Sequence, residues 1–394
     1  MSAPITTSPD ITERTKSILG QLIAFQTVSS DSNLTMIDWI AAHLEGLGAR
    51  VFRDHDETRT KANLFATLGP EDGGGILLSG HSDVVPVTDQ DWTTDPFEMH
   101  EDNGRLFGRG TCDMKGFIAA ALAIAETVDG AKLTRPLHFA FTYDEETGCL
   151  GAQSLVAVLR KLRIVPEIAI VGEPTEMRVI EGHKGCYEYS THFTGLAGHS
   201  SAPDRGVNAV EYAVRYVTRL MELRQHLIAR APAGSRFDPP WTTINIGRIS
   251  GGVAHNVIAG KAEVEWEMRP VQESDADFVK DRMAHYCVRE LLPAMKAVSP
   301  GAGITMTTVG EVAQLEPMPV NAARELVAEL TGANGTDVVA FGTEGGLFQA
   351  LGSHVVICGP GSIQQAHKAD EYLEIDQLDA CLTMLSRLVR YISD

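Results

Sequence analysis

Two histidines and several carboxylates fall where apolar runs end, and these residue types bind divalent cations and move protons. In Leu77-Leu78-Ser79-Gly80-His81-Ser82-Asp83 an apolar run leads into a histidine, with an aspartate two positions on. Two steps along an extended chain the side chain points the same way again, so the Asp83 carboxylate is expected to take an imidazole N–H and fix the His81 ring for metal binding. A surface His and Asp at a strand end would account for this segment alone equally well. Gly108-Arg109-Gly110-Thr111-Cys112-Asp113-Met114-Lys115-Gly116 is a glycine-bracketed turn ahead of an alanine-rich stretch. Asp113 there either presents one oxygen to each of two metals or caps the following helix, and by itself capping is the better account.

Phe139-Ala140-Phe141-Thr142-Tyr143-Asp144-Glu145-Glu146 ends in three consecutive acids. Like charges in a row repel, so the cluster calls for a cation or a solvated turn. In the first case one carboxylate can bind metal while its neighbour moves protons. Ile170-Val171-Gly172-Glu173 repeats the pattern of apolar run, glycine and acid, and Gly359-Pro360-Gly361 opens a loop that carries His367. Each segment is weak alone. Five of them delivering two His and several carboxylates to one sheet edge specify a dinuclear centre, and oxygen and imidazole ligands without thiolate suit two Zn2+, with Co2+ or Mn2+ as substitutes.

The elements that must position these residues follow from periodicity. Helical spacing covers 11–25 and 36–47, with Gly48 as a stop, and short apolar runs at 49–52, 64–68 and 76–79 predict strands, the last after the turn-forming residues 71–75. Residues 117–128, apolar nearly all round, predict a helix buried against a sheet, and 137–142 and 168–171 predict interior strands. This is an α/β rhythm with a mixed or mostly parallel sheet. Beyond Glu181 the order becomes strand (185–193), helix (206–227), two strands (243–249, 262–268) and helix (276–292), a small α+β sandwich inserted in the larger domain. After Pro300 the chain is expected to return to the first domain through strands at 304–309 and 354–357 and helices at 321–330 and 375–391. The domains are therefore 1–182, 183–296 and 297–394, the first and last forming one body.

At 394 residues the chain exceeds what one hydrophobic core usually supports. The net charge of −19 disfavours nucleic acid as a partner, because phosphate binding needs a basic surface. No stretch approaches the roughly 20 apolar residues of a membrane span, and the opening residues have neither a basic start nor an apolar run. Six scattered cysteines without a C-x-x-C pair read as reduced thiols, so a soluble cytoplasmic protein is expected.

The motifs Ser79-Gly80-His81-Ser82-Asp83, Gly108 to Gly116, Asp144-Glu145-Glu146, Gly172-Glu173-Pro174 and Ala366-His367-Lys368 resemble, in order and spacing, the zinc aminoacylase and carboxypeptidase superfamily. That superfamily includes acetylornithine deacetylase, succinyl-diaminopimelate desuccinylase and bacterial glutamate carboxypeptidase. The resemblance implies a mixed-sheet α/β catalytic domain of zinc-peptidase type with an inserted α+β, ferredoxin-like domain serving as lid and homodimer contact. It implies that His81 and Glu173 bind one zinc, that Glu146 and His367 bind the other, and that Asp113 bridges them. Glu145 would be the general base, and the Asp113–Met114 peptide would be cis. It further implies that His199 reaches a partner subunit's site to stabilise an oxyanion, and that Asn256 and Arg269 hold the substrate carboxylate. Ordinary accounts of these three exist: a turn residue, a loop-tip hydrogen bond and a strand-end charge. The segment Phe341-Gly342-Thr343-Glu344-Gly345-Gly346 resembles the deacetylase branch. There the N–H groups of Gly345 and Gly346 at a helix start could bind an α-carboxylate, and Glu344 could meet a substrate amine or merely sit in a helix's first turn. The substrate implied is an N-acyl amino acid, foremost N2-acetyl-L-ornithine. Another N-acyl amino acid or a dipeptide is the nearest alternative, and a catalytically silent metal- or peptide-binding relative is the non-enzyme one.

Overall fold

The structure, a computed structural model, describes residues 9–71 and 74–393. Residues 72 and 73 of the expected 71–75 turn, and the first eight residues of the opening segment, lie outside that range. The contacts divide the chain into two compact units. One comprises residues up to 182, 317–338 and from 343 onward, and the other comprises 183–316 with 339–342.

The first unit is built on an eight-stranded sheet. Its strands are β1 (Arg50–His55), β2 (Ala62–Leu68), β3 (Ile76–His81), β4 (Leu137–Thr142), β5 (Ile168–Pro174), β6 (Ile180–His183), β11 (Asp337–Val339) and β12 (His354–Gly359). They lie in the order β1-β2-β4-β3-β5-β12-β6-β11. β4, β3, β5 and β12 are mutually parallel, and β1 and β2 are antiparallel. Every residue of β3, β4 and β5 is buried, which is why these strands read as continuous apolar runs and not as alternations.

Helices α1 (Pro9–Ala24), α2 (Leu34–Gly46), α3 (Lys115–Ala125) and α4 (Leu150–Leu162) belong to this unit, with α8 (Ala322–Thr331), α9 (Gly345–Leu351) and α10 (Ile375–Ile392). α3 is buried at every position and packs on α1, α10 and β3. Its alanines permit that approach, and so does Gly172, where a Cβ would stand 2.0 Å from the Phe117 ring. α4 has no counterpart in the sequence reading. It begins at a left-handed Cys149 beside glycines, and only Leu155, Val156 and Leu159 mark its buried side with large residues, a short signal.

In the second unit β8 (Thr243–Gly251), β9 (Lys261–Arg269), β7 (Cys186–Thr194) and β10 (Gly303–Val312) form an antiparallel sheet in that order. β7 alternates buried and exposed residues along its length. Tyr189, Phe193, Val264, Trp266 and Met268 share a core with Leu220 and Leu223 of α5 (Ala209–Ala229) and with Val279 and Met283 of α6 (Glu273–Tyr286). α6 continues through a π-helical turn, Cys287–Leu291, into α7 (Leu292–Val298).

The domain boundary expected at 297 is corrected by β10. That strand pairs with β7 from Gly303↔Thr194 to Val312↔Cys186, so the second unit runs to Glu316. A strand's alternation shows that it is half exposed, not which sheet it joins.

Candidate active site

Because β4, β3, β5 and β12 are parallel neighbours, their carboxyl ends lie along one edge, where open α/β sheets bind ligands. β3 ends in His81, β4 leads into Asp144, Glu145 and Glu146, β5 carries Glu173, and the loop after β12 carries His367. Asp113 arrives from the turn before α3. The Asp113–Met114 peptide is cis.

These side chains converge. His81 Nε2 lies 3.0 Å from Asp113 Oδ1 and 3.8 Å from Glu173 Oε1. The other Asp113 oxygen is 3.4 Å from His367 Nε2, which is 3.0 Å from Glu146 Oε2. The Asp113 carboxylate thus stands between two imidazoles. Donor atoms of His81, Asp113 and Glu146 lie within 4.8 Å of one another, as do those of His81, Glu145 and Glu173. Glu173 Oε1 is buried with no hydrogen-bond partner.

The electrostatics show which charge this cluster favours. Burial pushes Glu145 up to about 8, His81 opposes, and the charges of Glu146, Asp113 and Asp83 add to it. Burial and then Asp113 raise Glu146 and, further, Glu173. His367 is pushed up to about 10 by hydrogen bonds to Asp113 and Glu146. Against burial, hydrogen bonds from His367 and His81 hold Asp113 well below the usual carboxylate range. Negative charge therefore exceeds what two imidazoles balance, and an orphaned carboxylate oxygen points into the cluster. Divalent cations fit this donor set of imidazole and carboxylate without thiolate. A second grouping, Cys186, Glu188 and Glu267, lies in the other unit, where Arg269 already pairs with Glu267 at 3.0 Å.

Three expectations are corrected. The Asp83 carboxylate does not hold the His81 ring, since His81 Nδ1 is 2.9 Å from the Asp83 main-chain carbonyl and 3.7 Å from its carboxylate. That carboxylate instead accepts the N–H groups of Glu145 (3.1 Å) and Glu146 (3.4 Å) and the Ser29 hydroxyl (2.7 Å), so it holds the acid-bearing loop. Glu344 is fully buried at the start of α9, where its carboxylate accepts the hydroxyls of Ser79 at 2.5 Å and Thr142 at 2.8 Å and is not open to a substrate amine. The Gly345 N–H, expected to meet a carboxylate, is instead taken up by Thr343 Oγ1 at 3.0 Å, and Gly346 is buried beside it at the start of the seven-residue α9.

In the second unit His199 is exposed, its Nδ1 2.7 Å from Ser201 Oγ. The Ser200 N–H donates to the Asn256 carbonyl at 3.1 Å, so these two loops adjoin. Arg269 stands at the far end of β9 from that pair. Two buried groups escaped the sequence reading. Ser29 gave no motif, and Glu371, four residues after His367, was the one legible signal passed over.

Residues 77–391 match the model of peptidase family M20/M25/M40. The chain belongs to this family. The M20 hydrolase is 36% identical over 378 residues to acetylornithine deacetylase of Proteus mirabilis, covering 94% of each chain. It is 37% identical over 360 residues to that of Shigella sonnei, covering 90% of this chain and 91% of the relative. Its fold is similar to that of a tripeptidase from Staphylococcus aureus (TM-score 0.73, 19% identity, 97% and 98% of the two chains). It is also similar to a Bacillus subtilis protein described as a dinuclear metal binding peptidase of the M20 family (TM-score 0.61, 15% identity, 98% and 99%). No helix among the described residues is long and apolar enough to cross a membrane.

Proposed function

We propose that this M20 hydrolase cleaves the amide bond of an N-acyl amino acid, with N2-acetyl-L-ornithine, an intermediate of arginine biosynthesis, as the favoured substrate. The observation that carries the reading is the convergence of His81, Asp113, Glu146, Glu173 and His367, with an unpartnered Glu173 oxygen among them. These five side chains would hold the cations, His81 with Glu173 and His367 with Glu146, Asp113 between. A pair of divalent metal ions, zinc foremost, supplies Lewis acidity that polarises an acyl carbonyl and acidifies water. Glu145 takes the proton of the attacking water and returns it to the leaving nitrogen. Burial raises Glu145, and the charge of bound cations would oppose that rise and keep the carboxylate able to accept a proton. Asp83 keeps Glu145 and Glu146 in place through their N–H groups.

His199 is assigned to the oxyanion, and Asn256 and Arg269 to the substrate carboxylate. Arg269 and the Asn256 loop lie at opposite ends of the nine-residue β9, roughly 26 Å apart, so both serve one substrate only when they come from different chains. A homodimer through the inserted unit meets that need. Exposed Val214, Met221 and Ile228 recur every seven residues along α5, as a helix seam would. The six cysteines are free, which supports a cytoplasmic setting.

The deciding experiment compares turnover of acetylornithine, acetylmethionine and succinyl-diaminopimelate before and after chelation. Acetylornithine is expected to be the best substrate, and chelation is expected to abolish its hydrolysis. Equal turnover after complete metal removal would overturn the reading.

A further inference from the structure

Glu371 is 1% exposed and its carboxylate is saturated with donors. Oε1 accepts the main-chain N–H groups of Cys112 at 2.9 Å and Asp113 at 3.0 Å. Oε2 accepts the Gly110 N–H at 3.1 Å and Arg109 Nη1 at 2.7 Å. Arg109, equally buried, also donates from Nη1 to the Lys368 carbonyl at 3.2 Å and from Nη2 to Gln90 Oε1 at 2.6 Å. The Gln90 amide in turn reaches the His367 carbonyl at 3.2 Å. The Trp92 ring lies 5.0 Å from the Arg109 guanidinium carbon, and the Gly108 N–H donates to the Glu371 carbonyl at 3.0 Å.

The loop bearing Asp113 and the loop bearing His367 are more than 250 residues apart in sequence, and neither residue lies within a helix or strand. Charge-assisted hydrogen bonds to a buried carboxylate are the strongest of the contacts between them, being shorter and roughly twice as strong as neutral ones. Asp113 and His367 stand 3.4 Å apart, and their loops are joined through this group and its guanidinium partner and by the Cys112 thiol on the Ser362 carbonyl at 3.3 Å.

We propose that Glu371 is a positioning residue that, with Arg109 and Gln90, fastens the Asp113 loop to the His367 loop and so fixes the spacing of two cation-binding side chains. The inference rests on the reading of Asp113 and His367 as ligands. Glu371→Gln changes shape little but turns one acceptor into an NH2 group. That group must face either the Cys112 and Asp113 amides or Gly110 and Arg109, donor against donor, and the loops part.

The test measures Zn2+ affinity by competition with a chromophoric chelator and records the visible spectrum of the Co2+-loaded protein, with unfolding of the metal-free form as the check on folding. Glu371→Gln is expected to fold, to bind Zn2+ about 10- to 100-fold more weakly and to shift the Co2+ spectrum. Gln90→Leu, which leaves the buried pair in place, is expected to lose about 3- to 10-fold, by the same loosening of an outer contact. Wild-type affinity and spectrum in folded Glu371→Gln overturn the proposal. Should that variant not fold, unchanged affinity in Gln90→Leu overturns it. Wild-type protein that binds no Zn2+, or binds it equally after His81→Ala, removes the metal reading itself and this inference with it, a result distinct from either variant's.

Discussion

Glu145 and Glu146 are chemically identical neighbours, and the contacts around them separate their roles. Glu146 is bound by His367, whereas among the described residues Glu145 has only the Cys149 thiol, 3.4 Å from its Oε1, as a side-chain donor. Glu145→Gln is therefore expected to keep its cation uptake, read by metal titration, while turnover falls by about 10²- to 10⁴-fold. Near wild-type rates would take the base role from Glu145. Asp83→Asn places an NH2 group against the N–H of Glu145 or Glu146. A loss of about 1–3 kcal/mol is expected in denaturant unfolding, with a drop in turnover, whereas unchanged unfolding would show those bonds to be dispensable. At this scale the sequence is informative about position and poor about orientation. The strand-end placement of His81, Glu173 and the acid triplet is legible because glycine and acid follow apolar runs. The partner of His81 is not, because the rule of alternating side chains says nothing of a main-chain carbonyl at 2.9 Å. For Glu344 the place at a helix start is the alternative observed, and its burial has no sequence signal because the hydroxyls that cover it, Ser79 and Thr142, come from strands distant in sequence.

Among the elements, those with one unbroken period were legible, and those defined by distant partners were not. β4 begins and ends where its apolar run does, and α10 follows its helical spacing to within a residue. β10, expected in the first domain, pairs instead with β7 in the second, and α4 hides behind its glycines. The close approach of β5 and β12 is equally silent in sequence. There a Cβ on Gly359 would stand 2.0 Å from the Gly172 carbonyl oxygen. That oxygen is main chain and cannot swing away, so Gly359→Ala must separate two parallel strands whose ends carry Glu173 and the His367 loop. The expected cost is about 1–3 kcal/mol, towards the upper end because main chain must move, with loss of activity. A urea transition at the wild-type midpoint would contradict it.

For the molecule as a whole, each unit contains a buried neutral imidazole. His138 is bonded on both sides, Nε2 to the Gly74 carbonyl at 2.9 Å and Nδ1 to the Thr67 hydroxyl at 2.8 Å, and burial lowers it to about 4. His183 in the other unit is also lowered by burial to about 4. Since the unfolded chain takes up these protons near pH 6.5 and the folded chain only near 4, stability is complete above the first value and lost as pH falls towards the second. Each histidine accounts for up to about 3 kcal/mol of that loss. His138→Gln is expected to flatten the fall in unfolding free energy between pH 6.5 and 4.5 relative to wild type, and parallel curves would show that His138 does not contribute. The fully enclosed α3 bears on how the molecule comes into being. A helix with no outward side cannot be finished by its neighbours in sequence, and the last wall to reach it is α10. Until the ribosome has released residues 375–392, and with them the whole second unit made in between, a nascent chain must carry an uncovered apolar cylinder. Chains truncated before residue 375 should therefore bind a hydrophobic dye or a chaperone that the intact protein ignores.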